Sequence, residues 1–193
     1  MAERVVLLVE DSTTDALIVK HALRDHFKVE HVRTPREARE RLEASRYAAV
    51  VTDYRLPEMS GMELLSWMTS RGIAAPVIVI SGHGDERVAT EALKAGAYDY
   101  VVKSEETLSS LSVAVLQAIR RHEVEHRAHI LQQIVENASD TILTLRMDGA
   151  VLTSNRAVQA MFGYEPADVV GGPASRLFVD APGAEGTAQM LQA

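Results

Sequence analysis

The sequence predicts an α/β protein, a doubly wound parallel sheet, followed by a long helix and a smaller α+β segment. Three observations carry this. Short apolar runs rich in β-branched residues alternate with stretches of helical period. Turn and cap residues punctuate nearly every junction. Most runs also end on a polar side chain suited to the rim of a sheet: Glu10 and Asp11, Asp53, Ser81, and Lys103.

Val5–Val9 (VVLLV) reads as a strand buried on both faces, and Ser12–His26 as a helix with Ala16, Leu17, Val19 and Leu23 in period. Lys28–Val32 is a second strand. Thr34-Pro35 with Glu37 caps a helix running to about Ala44. Ala48–Thr52 forms the third strand and Ser60–Ser70 the third helix, ended by Arg71-Gly72. Pro76–Ile80 is the fourth strand, Asp85–Ala95 the fourth helix, closed by Gly96, and Asp99–Val102 the fifth strand. A fifth helix begins near Glu105 or Glu106, and no Gly or Pro interrupts the chain from Leu108 to Val135. Val124, Ala128, Leu131 and Val135 recur there at 4-3-4 spacing, the pattern of a narrow coiled-coil seam. Glycine becomes denser beyond about Asn137–Ser139. Thr141–Met147 then reads as a strand, Asp148-Gly149 as a hairpin turn, Ala150–Thr153 as a return strand and Asn155–Phe162 as a helix. From Gly171 onward the chain reads as loop, with a short helix near Gly186–Leu191.

Composition narrows the function classes. The 193 residues are 47% hydrophobic and 24% charged, enough to build a core. A net charge of -7 argues against a nucleic-acid surface. Without cysteine there is no disulfide framework, thiolate chemistry or cysteine-bound metal. Nothing reads as a signal peptide, and no apolar run approaches the ~20 residues of a membrane span, so a cytoplasmic protein is expected.

Strand–helix alternation brings the carboxyl ends of parallel strands to one edge, where such sheets bind ligands. Taken singly, Glu10-Asp11 reads as helix-start charge, Ser81 as a turn residue before Gly82, and Lys103 as a surface lysine. Together they describe chemistry. Converging carboxylates repel one another unless a cation compensates. Mg²⁺ is suited to one or two carboxylates with waters and phosphate oxygens. Asp53 could then attack a phosphoryl group as a carboxylate nucleophile, with Lys103 adding positive charge and Ser81 donating a hydrogen bond.

These residues, with the motifs TDYRLPEMSG, VISGHGD and GAYDYVVK, resemble the receiver domain of two-component response regulators, over roughly residues 3–122. The resemblance implies a flavodoxin-like (βα)5 fold with strand order 2-1-3-4-5. It also implies phosphorylation of Asp53 by a histidine kinase, a phosphotransfer protein or a small phosphodonor. Mg²⁺ would be held by Asp11, Asp53 and the backbone carbonyl of Arg55, with Glu10 acting through water. Lys103 would pair with the phosphoryl group, and Ser81 and Tyr100 would form the switch pair. The output surface would be the face of the fourth helix, fifth strand and fifth helix, and a homodimer is expected through that face or the 108–135 helix. The sequence departs from the family pattern at Glu10, where Asp is commoner, and at Ser104, where proline is usual. Arg55 and His83 occupy positions that influence phosphoryl lifetime in the family.

The stretch ENASD…DG…SN…GY, over about residues 130–180, resembles the start of a PAS domain. Expected boundaries are therefore 1–122 for the receiver, 123–138 for a helical linker, and 139–193 for the N-terminal part of a PAS domain. The PAS part reads as cut short, with only its first two strands evident. The output effector is not legible.

Other readings are weaker. A pseudo-receiver that only docks or dimerises would not need the full set of Asp11, Asp53, Ser81 and Lys103. A small-molecule phosphatase would need an Asp-x-Asp motif near the first strand. His122-Glu123 lacks the continuation of a kinase phosphoacceptor, and His122, His126 and His129 read as linker histidines rather than metal ligands.

Overall fold

The computed structural model describes residues 4–179 apart from 83 and 85. The chain divides into two units, Met1–Val124 and Glu125–Ala193, each taken by itself below. In the first, β1 (Val5–Val9), β2 (Lys28–Val32), β3 (Ala49–Asp53), β4 (Val77–Ser81) and β5 (Asp99–Val102) form one sheet in the order β2-β1-β3-β4-β5. All its pairings are parallel. Between and after them run α1 (Thr13–Leu23), α2 (Pro35–Ala44), α3 (Gly61–Ser70), α4 (Glu86–Lys94), α5 (Glu105–Leu108) and α6 (Leu111–Glu136).

The period-two alternation of strands sorts the apolar residues into two cores. Val6, Leu8, Val51, Ile78 and Ile80 face α1 and the first half of α6, meeting Val19, Leu23, Leu111, Val115 and Ile119. Leu7, Val9, Val50, Val77 and Val79 face the opposite way, against Ala38, Leu42, Leu64, Leu65, Met68 and Ala92 of α2, α3 and α4. Because both faces are covered, the strands carry continuous apolar runs rather than an alternating pattern.

Two strands extend one residue beyond their predicted ends. The Tyr54 amide donates to the Ile80 carbonyl (2.8 Å) and the Lys103 amide to the Ser81 carbonyl (2.7 Å), so Asp53 and Ser81 close their strands inside the ladder. α1 stops at Leu23, short of the predicted His26, and His26 and Phe27 both donate back to the Leu23 carbonyl. The predicted fifth helix is broken at Ser109-Ser110. There the Ser109 hydroxyl donates to the Glu106 carbonyl and the Ser110 hydroxyl to the Thr107 carbonyl, offering the backbone a local alternative to helix. α6 then runs unbroken, with its buried side chains confined to Leu111–Ile119. Val124 and Leu131 of the predicted seam are exposed.

In the second unit, β6 (Leu143–Leu145) and β7 (Val151–Ser154) form an antiparallel hairpin around Asp148-Gly149, where Gly149 takes φ 85°. The helices α7 (Ala157–Phe162), α8 (Pro166–Val169) and α9 (Arg176–Val179) follow. Val151, Val158, Val169 and Leu177 make a small core. The stretch after Gly171, expected to be loop, is partly ordered by pairing: Gly171 and Gly172 exchange backbone bonds with Val151, and Pro173 bridges Ala150. Two glycines and a proline hid this extended segment from pattern reading. The short helix expected near 186–191 lies outside the described residues.

Candidate functional site

The carboxyl ends of β1, β3, β4 and β5 meet at one edge of the sheet. Glu10 follows β1 and is fully buried, its amide donating to the Val32 carbonyl. Asp53 closes β3 and is 8% exposed, and Ser81 closes β4 and is 4% exposed. Lys103 directly follows β5. Its ammonium lies 2.6 Å from Glu10 Oε2, 2.8 Å from Asp15 Oδ2 and 3.0 Å from Asp53 Oδ1. One cation thus joins three carboxylates from different parts of the chain. The second oxygen of Glu10 accepts the Ser12 amide at 3.1 Å.

Glu10, Asp11 and Asp53 each bring a carboxylate oxygen within 4.8 Å of the other two. This all-oxygen set fits a hard divalent cation such as Mg²⁺. Burial pushes the Glu10 carboxyl above the ordinary range, the Lys103 ammonium pulls it back, and the neighbouring Asp53 charge adds to the rise. Burial also works against the charge on Lys103, but the bonds from Asp15, Glu10 and Asp53 outweigh it and raise its pKa.

The neighbouring elements fix this cluster through its backbone. His31 Nε2 donates to the Glu10 carbonyl at 2.8 Å; since a carbonyl only accepts, the proton is on that nitrogen. The Arg33 guanidinium donates to the Asp11 carbonyl at 3.0 Å. Gly61, the first residue of α3, packs so tightly that a Cβ there would lie 2.3 Å from the Asp53 carbonyl oxygen. α3 begins in a complete capping box, Ser60 with Glu63, which fixes the path of the loop leaving Asp53. Within that loop Glu58 takes φ 68°, a left-handed conformation unusual for a side-chain-bearing residue.

Of the residues singled out from the sequence, Glu10, Asp11, Asp53 and Lys103 come together in this cluster, and Ser81 lies at the same edge. Tyr100 sits within β5 opposite Val79, half-buried at the margin of the second core. The Arg55 side chain is exposed in the loop after β3. His83 lies outside the described residues. Sequence reasoning missed Asp15, His31 and Arg33. Asp15 lies one helical turn beyond Asp11, a spacing that could have flagged it, but Ser12-x-x-Asp15 reads as an ordinary helix cap. Nothing local marks His31 or Arg33, whose bonds depend on strand pairing.

No described helix is long and apolar enough to cross a membrane. The family model "Response regulator receiver domain" matches residues 6–116, and "PAS fold" matches residues 130–193. The transcriptional regulatory protein FixJ of Rhizobium meliloti is 45% identical over 76 residues, covering 39% of this chain and 35% of that protein. The response regulator protein TodT of Pseudomonas putida is 36% identical over 93 residues, covering 47% of this chain and 41% of that protein. The chain therefore spans well under half the length of these curated relatives. Among solved structures, FixJ-N superposes with a TM-score of 0.56 at 31% identity, covering 63% of this chain and 97% of that one. A response regulator receiver domain protein from Clostridium thermocellum also gives 0.56 at 31% identity, covering 63% and 98%. With the sheet order, the acid cluster at its carboxyl edge and a family match over more than half its length, the chain belongs to the response regulator receiver domain family of two-component systems, its receiver region followed by a PAS fold.

Proposed function

We propose that this receiver accepts a phosphoryl group on Asp53 in a Mg²⁺-dependent reaction and passes the resulting change along α6 to the PAS region. The observation carrying this reading is the Lys103 ammonium bound to both Glu10 and Asp53, the two buried members of a three-carboxylate cluster. Asp11, Asp53 and the backbone carbonyl of Arg55 would hold the metal. Glu10 would act through water, consistent with both its oxygens already accepting hydrogen bonds. Bound there, Mg²⁺ supplies charge neutralisation for the phosphoryl oxygens. An Asp53 oxygen forms the new O–P bond while the bond from phosphorus to the donor breaks, and the leaving group keeps that electron pair. Lys103 stabilises the charge that develops, and the Ser81 hydroxyl donates to a phosphoryl oxygen.

Ser81 and Tyr100 would act as the switch pair, on adjacent strands that lead to α4 and, through α5, to α6. The donor would be a histidine kinase, a phosphotransfer protein or a small phosphodonor. A cytoplasmic protein is the accompanying reading, with the receiver over 1–122, a helical linker over 123–138 and an N-terminal PAS part over 139–193. Homodimerisation through the 108–135 helix, or through the face of α4, β5 and α6, would give the signal a mechanical route.

The test is intact mass after incubation with Mg²⁺ and acetyl phosphate. One phosphoryl adduct is expected on the wild type, absent without metal and absent from Asp53→Ala. A wild type that takes no adduct from acetyl phosphate or from a kinase donor would instead favour a docking module.

A further inference from the structure

We propose that Asp15 is a positioning residue for Lys103: it keeps the ammonium aimed at Asp53 after metal binding and phosphoryl transfer have changed its other two partners. The inference rests on the reading of Asp53 as phosphoacceptor.

Lys103 has three N–H groups and three carboxylate partners, and these partners are not equivalent. Asp53 loses its carboxylate charge when an oxygen becomes the bridge of an acyl phosphate. Glu10 and Asp53 both belong to the metal-competent cluster, so a bound cation competes with Lys103 for their charge. Asp15 lies outside that cluster, and its Oδ2 is 2.8 Å from the ammonium. It is the one partner that belongs neither to the metal-competent set nor to the reacting carboxylate.

The start of α1 shows how Asp15 is released for this role. Ser12 caps the helix, accepting the Asp15 amide at 3.3 Å. In a full capping box the third helical residue would reach back to the cap residue's own amide. That is what Glu63 does at Ser60, at 2.8 Å. At Ser12 the amide is instead taken by Glu10 Oε1. Glu10 therefore fills the reciprocal half of the box, and the Asp15 carboxylate turns to Lys103. A compact point charge on a flexible four-carbon stem needs such an anchor to stay on line.

Positioning requires a hydrogen-bond acceptor, whereas a purely electrostatic role requires a negative charge. Asp15→Asn and Asp15→Ala separate the two. The first readout is the side-chain ammonium NMR signal of Lys103 in protein saturated with Mg²⁺, assigned by its loss in Lys103→Gln. A slowly exchanging signal is expected in the wild type and in Asp15→Asn, and its loss in Asp15→Ala. The second readout is the rate of adduct formation from acetyl phosphate, expected to fall about tenfold in Asp15→Ala and to recover to within about twofold in Asp15→Asn. Ser12→Ala, which removes the cap and keeps the carboxylate, should retain the Lys103 signal and so separates helix fraying from loss of the anchor. An Asp15→Ala protein with an unchanged Lys103 signal overturns the proposal. So does equal acceleration of phosphorylation in both Asp15 variants, which would make Asp15 only a repulsive charge. Absence of an adduct on the wild type sinks the acceptor reading alone, because the ammonium signal still decides the role of Asp15.

Discussion

The two units use burial differently. In the first, five strands are enclosed between helix layers, and side chains such as Leu7 and Leu8 point to opposite cores yet are both fully buried. Among the described residues of the second, one hairpin packs a single face on a core of four buried residues, and Leu145 and Leu152 stay exposed. A strand held on both faces is pinned in register, which fixes where its last residue sits. This is what allows the first unit to hold like charges close together at the sheet edge. The second unit specifies a fold with far less redundancy.

The largest expected effect tests this contrast directly. Leu8→Ala should cost ~3 kcal/mol, and Leu177→Ala in the smaller core, which can collapse more easily, ~2 kcal/mol. Trp67, the single tryptophan, lies on α3 of the first unit. Its fluorescence in a urea titration should therefore move with Leu8→Ala and stay put with Leu177→Ala. A shift in both would mean that the units unfold together. Next, Gly61→Ala forces a methyl against the Asp53 carbonyl and should cost about 1–3 kcal/mol. On the role proposed for Asp53, it should also slow adduct formation, because the strand that carries Asp53 must shift.

In the second unit, Asn155 does by hydrogen bonding what packing does in the first. Its carbonyl accepts the Ile142 amide (2.9 Å), and its amide donates to the carbonyls of Val135 (2.9 Å) and Asp140 (3.0 Å). Asn155→Ala should cost about 1–3 kcal/mol. Faster hydrogen exchange at the Ile142 amide would register the loss, and unchanged exchange would show that the hairpin holds without it.

The smallest effect is confined to alkaline pH. Burial, with the Tyr47 hydroxyl donating to Glu30 at 2.9 Å, pushes the phenol from 10 to about 12. The folded state thus favours the neutral form. That contribution is complete below pH 10 and is lost as pH rises through about 12. An absorbance titration of the tyrosines should show a late phase near pH 12 that disappears in Tyr47→Phe.

Much of this was legible in the chain, for physical reasons. Runs such as VVLLV and PVIVI report burial on both faces, and alternation with helices makes parallel pairing the natural solution. Asp53 and Lys103 could be read because each ends such a run. The break at Ser109-Ser110 escaped because serine hydroxyls compete for carbonyls only in one local geometry. The pairing after Gly171 escaped because glycine and proline carry no strand period.

By itself the sequence determined which residues form strands, which side chains close them, and therefore that an acid cluster, a serine and a lysine share one edge. These are consequences of local period and of the rule that parallel strands point the same way. Only the tertiary structure decided the partners. Which nitrogen of His31 bears its proton, that Arg33 braces Asp11, that Glu10 replaces Asp15 in a helix cap, and that Asp15 then holds Lys103 all follow from strand pairing and helix packing. Those contacts join residues far apart in the chain, as with Glu10 and Lys103, and no local pattern encodes a distance between them.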